Sequence, residues 1–492
     1  MRRLTTCPHH ATVQPVGSQR KCYDTQVLRH ASATTLKRYD PHRTRRIISG
    51  EGNGATVRVG LARRPVTPPL GTALAGYYVA EGRRSGARST HDDLHAKALV
   101  FEHDGITAAV ITSDLIAVPP DLTSTVRAIV KEQTGIPDHC VMITASHNHS
   151  GPALSPPLRA DLLAGRVHLG YIDALAPQIA GLVAAAVREM RPARFAVGTG
   201  TCAINVNRRK RRPDGSWFGL PFLGQNFEGP VDHTVTVLRF ERDDGSRAVL
   251  INYPCHAVVL GPNLEVSADY PGATQRFVEA YFGAGTLALF TNGAEGDLNP
   301  IVHPGPFTEA DRLGCILGAE VVKVAEQVTP RPVQRVTATH RAVSLPVAGA
   351  PPLEEEARLL AAWEARCRTL RASLSPDAVL DEEMSWTTAQ LRHLRRRRFG
   401  TAATAEVQYI AIDDAVLASV AGELFTVLGQ QVRASSPFAH TVLVGLANDS
   451  VGYIPPRSCF QEGGFEIEAT PLEPGAGEKL RDAMIAGLRA LG

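Results

Sequence analysis

The 492-residue sequence predicts a mixed α/β (α+β) fold on a mixed β-sheet with helices. Three observations carry that prediction. Strand-like runs alternate with helical ones along most of the chain, and several strands are joined by hairpin turns. Strand patterning returns after a charged helical stretch, so the chain closes back on one core rather than opening a second domain. The composition, 44% apolar and 21% charged, is ordinary for a globular protein with a sizeable core. There is no internal repeat.

Order begins near Thr56, where TVRVGLARRPVTPP reads as a strand breaking at Pro68-Pro69. HAKALVFEHDGITAAVITSDLI reads as a hairpin turning at Asp104-Gly105. PPDLTSTVRAIVKEQTGI has helical spacing, with Asp121 near its start and Gly135 as its stop. HCVMITA is the next strand, and residues 170–190 form an Ala-rich amphipathic helix. FAVGTGTCAINVNRR predicts a strand followed by a basic loop, and two strands flank Asp243-Asp244-Gly245. A helix over 271–282, a strand at TLALFTN and a helix over 308–328 follow. Residues 352–399, rich in Glu, Ala, Leu and Arg, predict an inserted helical hairpin whose RHLRRRR end is a solvated helix terminus. AEVQYIAID, AVLASVAGE and HTVLVGLAN then restore the sheet pattern, so residues 56–492 are expected to form one large domain.

Residues 1–55 predict a disordered basic leader. Residues 1–50 hold ten Lys/Arg and two Asp/Glu, a balance of +8 in a chain of net +3, which leaves −5 on the remainder. A nucleic-acid binder would carry its positive charge on the folded body, so no nucleic-acid partner is expected. Arg2-Arg3 is followed by no apolar segment of signal-peptide type, and no run approaches eighteen consecutive apolar residues. The eight cysteines form no CxxC pair, which suits reduced, mostly buried thiols. The expectation is a cytoplasmic protein without a transmembrane segment.

The candidate chemistry lies where strands run out. ASHNHSGP places His147 and His149 two apart after an apolar strand, and i, i+2 positions of an extended chain face the same side. Such a pair suits a metal site but also occurs in ordinary loops. NYPCHAVVL puts His256 in an apolar run, where a core histidine is the plain alternative. AGELFT sets Glu423 after a strand, where burial demands a metal or an arginine. TNGAEGDLNP carries Glu295, Asp297 and Asn299 in a Gly-rich loop, and VGYIPP carries Tyr453.

These blocks, in this order, resemble the neutral ceramidase family, zinc-dependent amidases that split the N-acyl bond of ceramide. GLARRPVTPPLGTALAGYY is similar to the family's opening strand and TPP–GY loop. ASHNHSGP resembles its SHTHSGP motif with Asn148 in place of Thr, and INVNRR its NxNRS segment. NYPCHAVVL, NGAEGDLNP, AGELFT and GLANDSVGYIPP resemble the later blocks. The resemblance implies one Zn²⁺ held by His147, His256, Glu423 and Tyr453, with His149 protonating the departing amine. It also implies that Arg208 faces the scissile amide. Asn299 stands where the family has a serine, which leaves metal-activated water as the nucleophile. The family's C-terminal immunoglobulin-like domain and secretion signal are not seen, which widens the expected substrate from ceramide to any N-acylated amine, lipid or smaller. An esterase, lactonase or N-acyltransferase on the same metal site, and a degenerate non-catalytic ligand-binding homologue, are the alternatives. The oligomeric state is not legible.

Overall fold

The computed structural model describes residues 56–77, 86–154, 169–211, 224–350 and 395–492, with isolated positions between them. The predicted leader and most of the predicted helical hairpin at 352–399 lie outside the described residues. The larger sheet has eight strands, ordered Thr286–Asn292, Arg247–Tyr253, Thr234–Arg242, Arg191–Thr201, Arg58–Pro65, His95–His103, Ile106–Ser113 and Val141–Ala145. Neighbours run antiparallel except in the two outermost pairs, which are parallel. The sheet is therefore mixed, as the alternation of hairpins and helical crossovers predicts. Asp104 (φ 49°) and Gly105 (φ 81°) make the predicted hairpin turn, with both residues in the left-handed region that such two-residue turns require. The helix Pro120–Thr134 starts on a proline and ends at Gly135 (φ 78°), whose N–H donates to the Lys131 carbonyl.

A second sheet holds Val336–Pro346, Ala402–Ile412, Ala415–Ser419 and His440–Val444, the last two parallel. Strand alternation decides how the layers stack. On one face of the large sheet, Val237, Val249, Ile251 and Phe290 pack against the helices Asp269–Phe282 and Phe307–Gln327. On the other, Phe240, Leu250 and Leu289 share a core with Ile410, Leu417 and Val442 of the second sheet. Val407, Tyr409 and Leu443 on the second sheet's far face pack against the helices Thr426–Ala434 and Ala476–Leu491. The buried leucines make each layer depend on the next, since truncating one such side chain to Ala costs about 2–5 kcal/mol.

One helix among the described residues, Gly170–Arg188, is long and apolar enough to cross a membrane by length and composition. Its Leu175, Ile179, Val183 and Ala186 are buried in the large core, at the spacing a helix needs when one stripe lies on a sheet. Of the described cysteines, Cys140, Cys202 and Cys255 are buried thiols, Cys459 is part-buried and Cys315 is exposed.

The three parallel pairs position the site. Ser113 lies opposite Ala145, Tyr253 opposite Asn292, and Ser419 opposite Val444, so each pair ends at its carboxyl end in step. Backbone bonds draw these ends together: Asn448 N–H donates to Ile143 O (2.8 Å) and Gly445 N–H to Asn292 O (2.9 Å). The Asn252 side chain donates to Leu443 O at 2.8 Å. In α/β folds, ligands collect outside such carboxyl ends.

Candidate metal centre

The Val141–Ala145 strand stops before its histidines, and the two do not project from one extended segment as the i, i+2 argument assumes. His147 has φ 62°, a left-handed conformation rare for a side-chain-bearing residue. Asn148 holds the chain there. Its backbone N–H donates to Leu115 O, and its side-chain amide donates to Asp114 O (3.1 Å) and Ser267 O (2.7 Å). Its Oδ1 accepts from Ser150 N–H at 2.9 Å. This bonding replaces the strand pleat as the device that turns both rings into one cleft, where their centroids lie 4.7 Å apart.

His147 Nδ1 bonds Ile116 O at 2.8 Å, and His256 Nδ1 bonds the Glu295 and Leu298 carbonyls at 3.0 Å each. A carbonyl can only accept, so both rings carry their proton on Nδ1 and present a bare Nε2 lone pair, the tautomer a metal needs. Both Nε2 atoms point at Glu423 Oε2, at 3.4 and 3.3 Å. Two ligands on a tetrahedral Zn²⁺ with bonds of about 2.0–2.1 Å stand roughly 3.3 Å apart, so the spacing fits. The ligand atoms of His147, His256 and Glu423 all lie within 4.8 Å of one another, and all three residues are buried. His256 Nε2 and Glu423 Oε2 are buried without a hydrogen-bond partner, a costly arrangement that a cation between them would relieve. The donor set and its orphaned atoms therefore fit a divalent metal.

The electrostatics agree. Burial and the nearby Arg208 charge push the His256 imidazole down to about 3, so it stays neutral. Burial raises the Glu423 carboxyl, and it is held well below its usual range when positive charge sits at His147 and His256; with both rings neutral, a cation at the same point would supply that charge. Glu295 behaves oppositely: burial, reinforced by the Glu423 charge, keeps it protonated well above the ordinary carboxylate range.

Glu423 and Tyr453 face each other as the opening pair of a short parallel ladder, Glu423–Leu424 against Tyr453–Ile454. Tyr453 is buried, and its ring lies parallel to that of His256 at 6.5 Å. Burial and the Glu423 charge raise its phenol. Arg208 follows the short strand Asn205–Asn207, and its guanidinium lies 5.3 Å from the Tyr453 ring centre. Its Nε donates to Glu466 (2.7 Å), one terminal nitrogen to Asn299 Oδ1 (3.1 Å) and the other to Gly296 O (2.9 Å). Glu466 also accepts from Arg209 at 2.8 Å, and both arginines hold its carboxyl below the usual range against the effect of burial. His149 Nε2 lies 3.2 Å from His147 Nε2.

All seven predicted site residues thus belong to one connected cluster. Three neighbours were not singled out in the sequence: Glu466, Tyr77 and His303. Each is placed by contacts across the fold, and nothing in GGFEIEA or IVHPGPF announces a role. The end of the arginine run is solvated at Arg397 and Arg398 and part-buried at Arg395 and Arg396. Arg398 pairs with both oxygens of Asp449 at 2.9 Å, and Arg395 donates to Ala469 O at 3.3 Å.

The sequence model of the neutral/alkaline non-lysosomal ceramidase N-terminal region matches residues 57–331. That stretch is more than half of the chain and holds His147, His149, Arg208, His256 and Asn299. The chain belongs to the neutral/alkaline non-lysosomal ceramidase family. It is accordingly a hydrolase of the amide-cleaving class. The fold is that of neutral ceramidase from Pseudomonas aeruginosa, with a TM-score of 0.68 at 20% identity over 89% of this chain and 74% of that one. A second solved structure, a ceramidase complexed with C2, gives 0.67 at 18% identity over 89% and 75%. No curated protein matches the sequence.

Proposed function

We propose that this ceramidase-family chain is a zinc-dependent amidohydrolase that cleaves the N-acyl bond of a ceramide-like lipid amide or another N-acylated amine. The observation that supports this best is the convergence of two bare imidazole nitrogens and one carboxylate oxygen on a single buried point. His147, His256 and Glu423 would hold the ion, with Tyr453 beside them as the fourth ligand. Bound there, Zn²⁺ supplies Lewis acidity toward the amide carbonyl and lowers the pKa of water toward neutrality.

The remaining roles fall to the chain's own side chains. Arg208 is held rigid by Glu466, Asn299 and the Gly296 carbonyl, so its positive charge is in place before the carbonyl oxygen becomes anionic. His149 stands beside His147 at the part-buried margin of the cluster, suited to give a proton to the departing nitrogen. Asn299 orients Arg208 and contributes no nucleophile, since an amide has no hydroxyl with which to attack. The test is hydrolysis of a short-chain ceramide and of a simple N-acyl alkylamine, before and after chelation and with Zn²⁺ restored. Activity that disappears with the chelator and returns with Zn²⁺ is expected. A well-folded, metal-free protein that still hydrolyses the amide would overturn the zinc reading, and one that never hydrolyses it would leave only a ligand-binding homologue.

A further inference from the structure

The metal cluster has further neighbours that the roles above leave unused. The loop running from Val66 to Tyr77 lies across the HNH segment. It is stitched to that segment by Ala75 N–H to Gly151 O (2.9 Å) and Ala153 N–H to Ala73 O (2.8 Å). Within it Gly76 (φ 87°) approaches the His149 ring so closely that a Cβ there would sit 2.1 Å from Nδ1. Only glycine fits that space, and the position of Gly76 therefore fixes the position of the imidazole. The next residue, Tyr77, is buried, and its ring centre lies 5.4 Å from that of His149.

Tyr77 reaches a segment remote in the chain. Its hydroxyl lies 2.5 Å from His303 Nε2. His303 sits on a well-anchored segment: Ile301 N–H donates to Ile204 O, Gln225 donates to Ile301 O, and Gly305 N–H donates to Val259 O. Burial, with the Arg208 charge near by, keeps His303 far below its ordinary range, so the ring is neutral. A neutral imidazole nitrogen and a phenolic hydroxyl can each donate or accept, and Nε2 pairs with the Tyr77 hydroxyl.

We infer that Tyr77 and His303 form a latch that pins the 66–77 loop over the HNH segment and thereby positions His149 against the metal cluster. Both are positioning residues, acting through His149 without touching the reacting atoms. The inference rests on the amidase reading for the role of His149, but the latch itself can be observed without turnover. A proton donor displaced by about 1 Å can lose up to roughly a hundredfold in rate. Breaking one hydrogen bond to a loop that keeps its backbone stitches should cost less, about tenfold.

The test uses the full-length, metal-loaded protein. Tyr77→Phe is expected to lower kcat about tenfold on an N-acyl alkylamine, with KM within about twofold. On an activated aryl ester, whose leaving group needs no proton, the same variant should match the wild type. His303→Leu should reproduce the pattern, whereas His303→Gln, which keeps an acceptor, should recover most of the loss. His149→Gln should show the same substrate split, and adding Tyr77→Phe to it should cost nothing further, because the latch acts only through that ring. Equal losses on amide and ester, or additive losses in the double variant, would overturn the latch. In parallel, the His149 imidazole resonances, assigned by their absence in His149→Gln, should shift in Tyr77→Phe. Unmoved resonances refute the latch even in a protein with no amidase activity, whereas shifted resonances without turnover support the latch and refute the amidase reading alone.

Discussion

Two buried polar clusters stand side by side in this protein, and they are built on opposite principles. In the first, His147, His256 and Glu423 aim ligand atoms at one another and leave His256 Nε2 and Glu423 Oε2 without a hydrogen-bond partner. In the second, Glu466 takes one guanidinium on each carboxylate oxygen, and Arg208 makes two further contacts, to Asn299 and to the Gly296 carbonyl. Both are fully enclosed, so burial alone does not separate them. What separates them is satisfaction: the second cluster is complete within the chain, and the first is complete only with something added. A binding centre is recognisable as the place where the fold accepts an unsatisfied polar atom, and its support as the place where it does not.

The largest expected effect comes from breaking the incomplete cluster. Glu423→Gln or His256→Ala should abolish metal binding and lower amide hydrolysis by more than about 100-fold, beyond the 10–100-fold that outer partners of a metal cost. Thermal unfolding of metal-free Glu423→Gln should shift little, because the substitution keeps the side chain's shape, whereas His256→Ala also removes the Nδ1 bonds to the Glu295 and Leu298 carbonyls and should lower stability. Breaking the complete cluster should do the reverse. Glu466→Gln leaves two buried guanidinium groups short of a counter-charge and should cost about 3–5 kcal/mol in denaturant unfolding, while metal content is retained.

A pH titration of stability sharpens the same contrast. The Glu466 carboxyl is lowered in the folded protein relative to the unfolded value near 4.3, so the unfolded chain takes up the proton first as pH falls. Its stabilisation is fully present above the unfolded value and is lost as pH drops through the folded one. The wild type should therefore lose stability across that window more steeply than Glu466→Gln, and parallel curves would remove Glu466 from the account. The smallest effect is expected at Asn299. Asn299→Ala removes one contact to Arg208 and no nucleophile, so kcat should fall by about tenfold or less, equivalent to roughly 1.4 kcal/mol. Complete loss of turnover would assign Asn299 a direct chemical step.

How much of this was legible in the sequence follows from the same distinction between local and distant causes. The hairpin at Asp104-Gly105 and the helix ending at Gly135 were readable because their signals lie within a few residues. The strand Val336–Pro346 and the helices Thr426–Ala434 and Ala476–Leu491 were not among the predicted elements, and all three build the second sheet and its cover. His147, His256, Glu423 and Tyr453 could be picked out because each follows a strand-like run and sits in a block resembling a known family. The reason first given for the histidine pair was not the one that operates. Asn148, with its bonds to Asp114, Ser267 and Ser150, turns the rings inward where strand alternation was expected to. Glu466 and His303 were invisible, and Tyr77 was legible only as part of the TPP–GY block, because their partners lie far off in the chain, 258 residues from Arg208 to Glu466 and 226 from Tyr77 to His303.

The central claim is that the unsatisfied cluster is a zinc centre, and metal stoichiometry combined with X-ray absorption at the zinc edge tests it most directly. The account predicts one Zn²⁺ per chain, bound by two imidazole nitrogens and by oxygen donors at about 2.0–2.2 Å, and lost in both His256→Ala and Glu423→Gln. A folded wild-type protein that takes up no metal, or a His256→Ala protein that binds Zn²⁺ as tightly as the wild type, would contradict it.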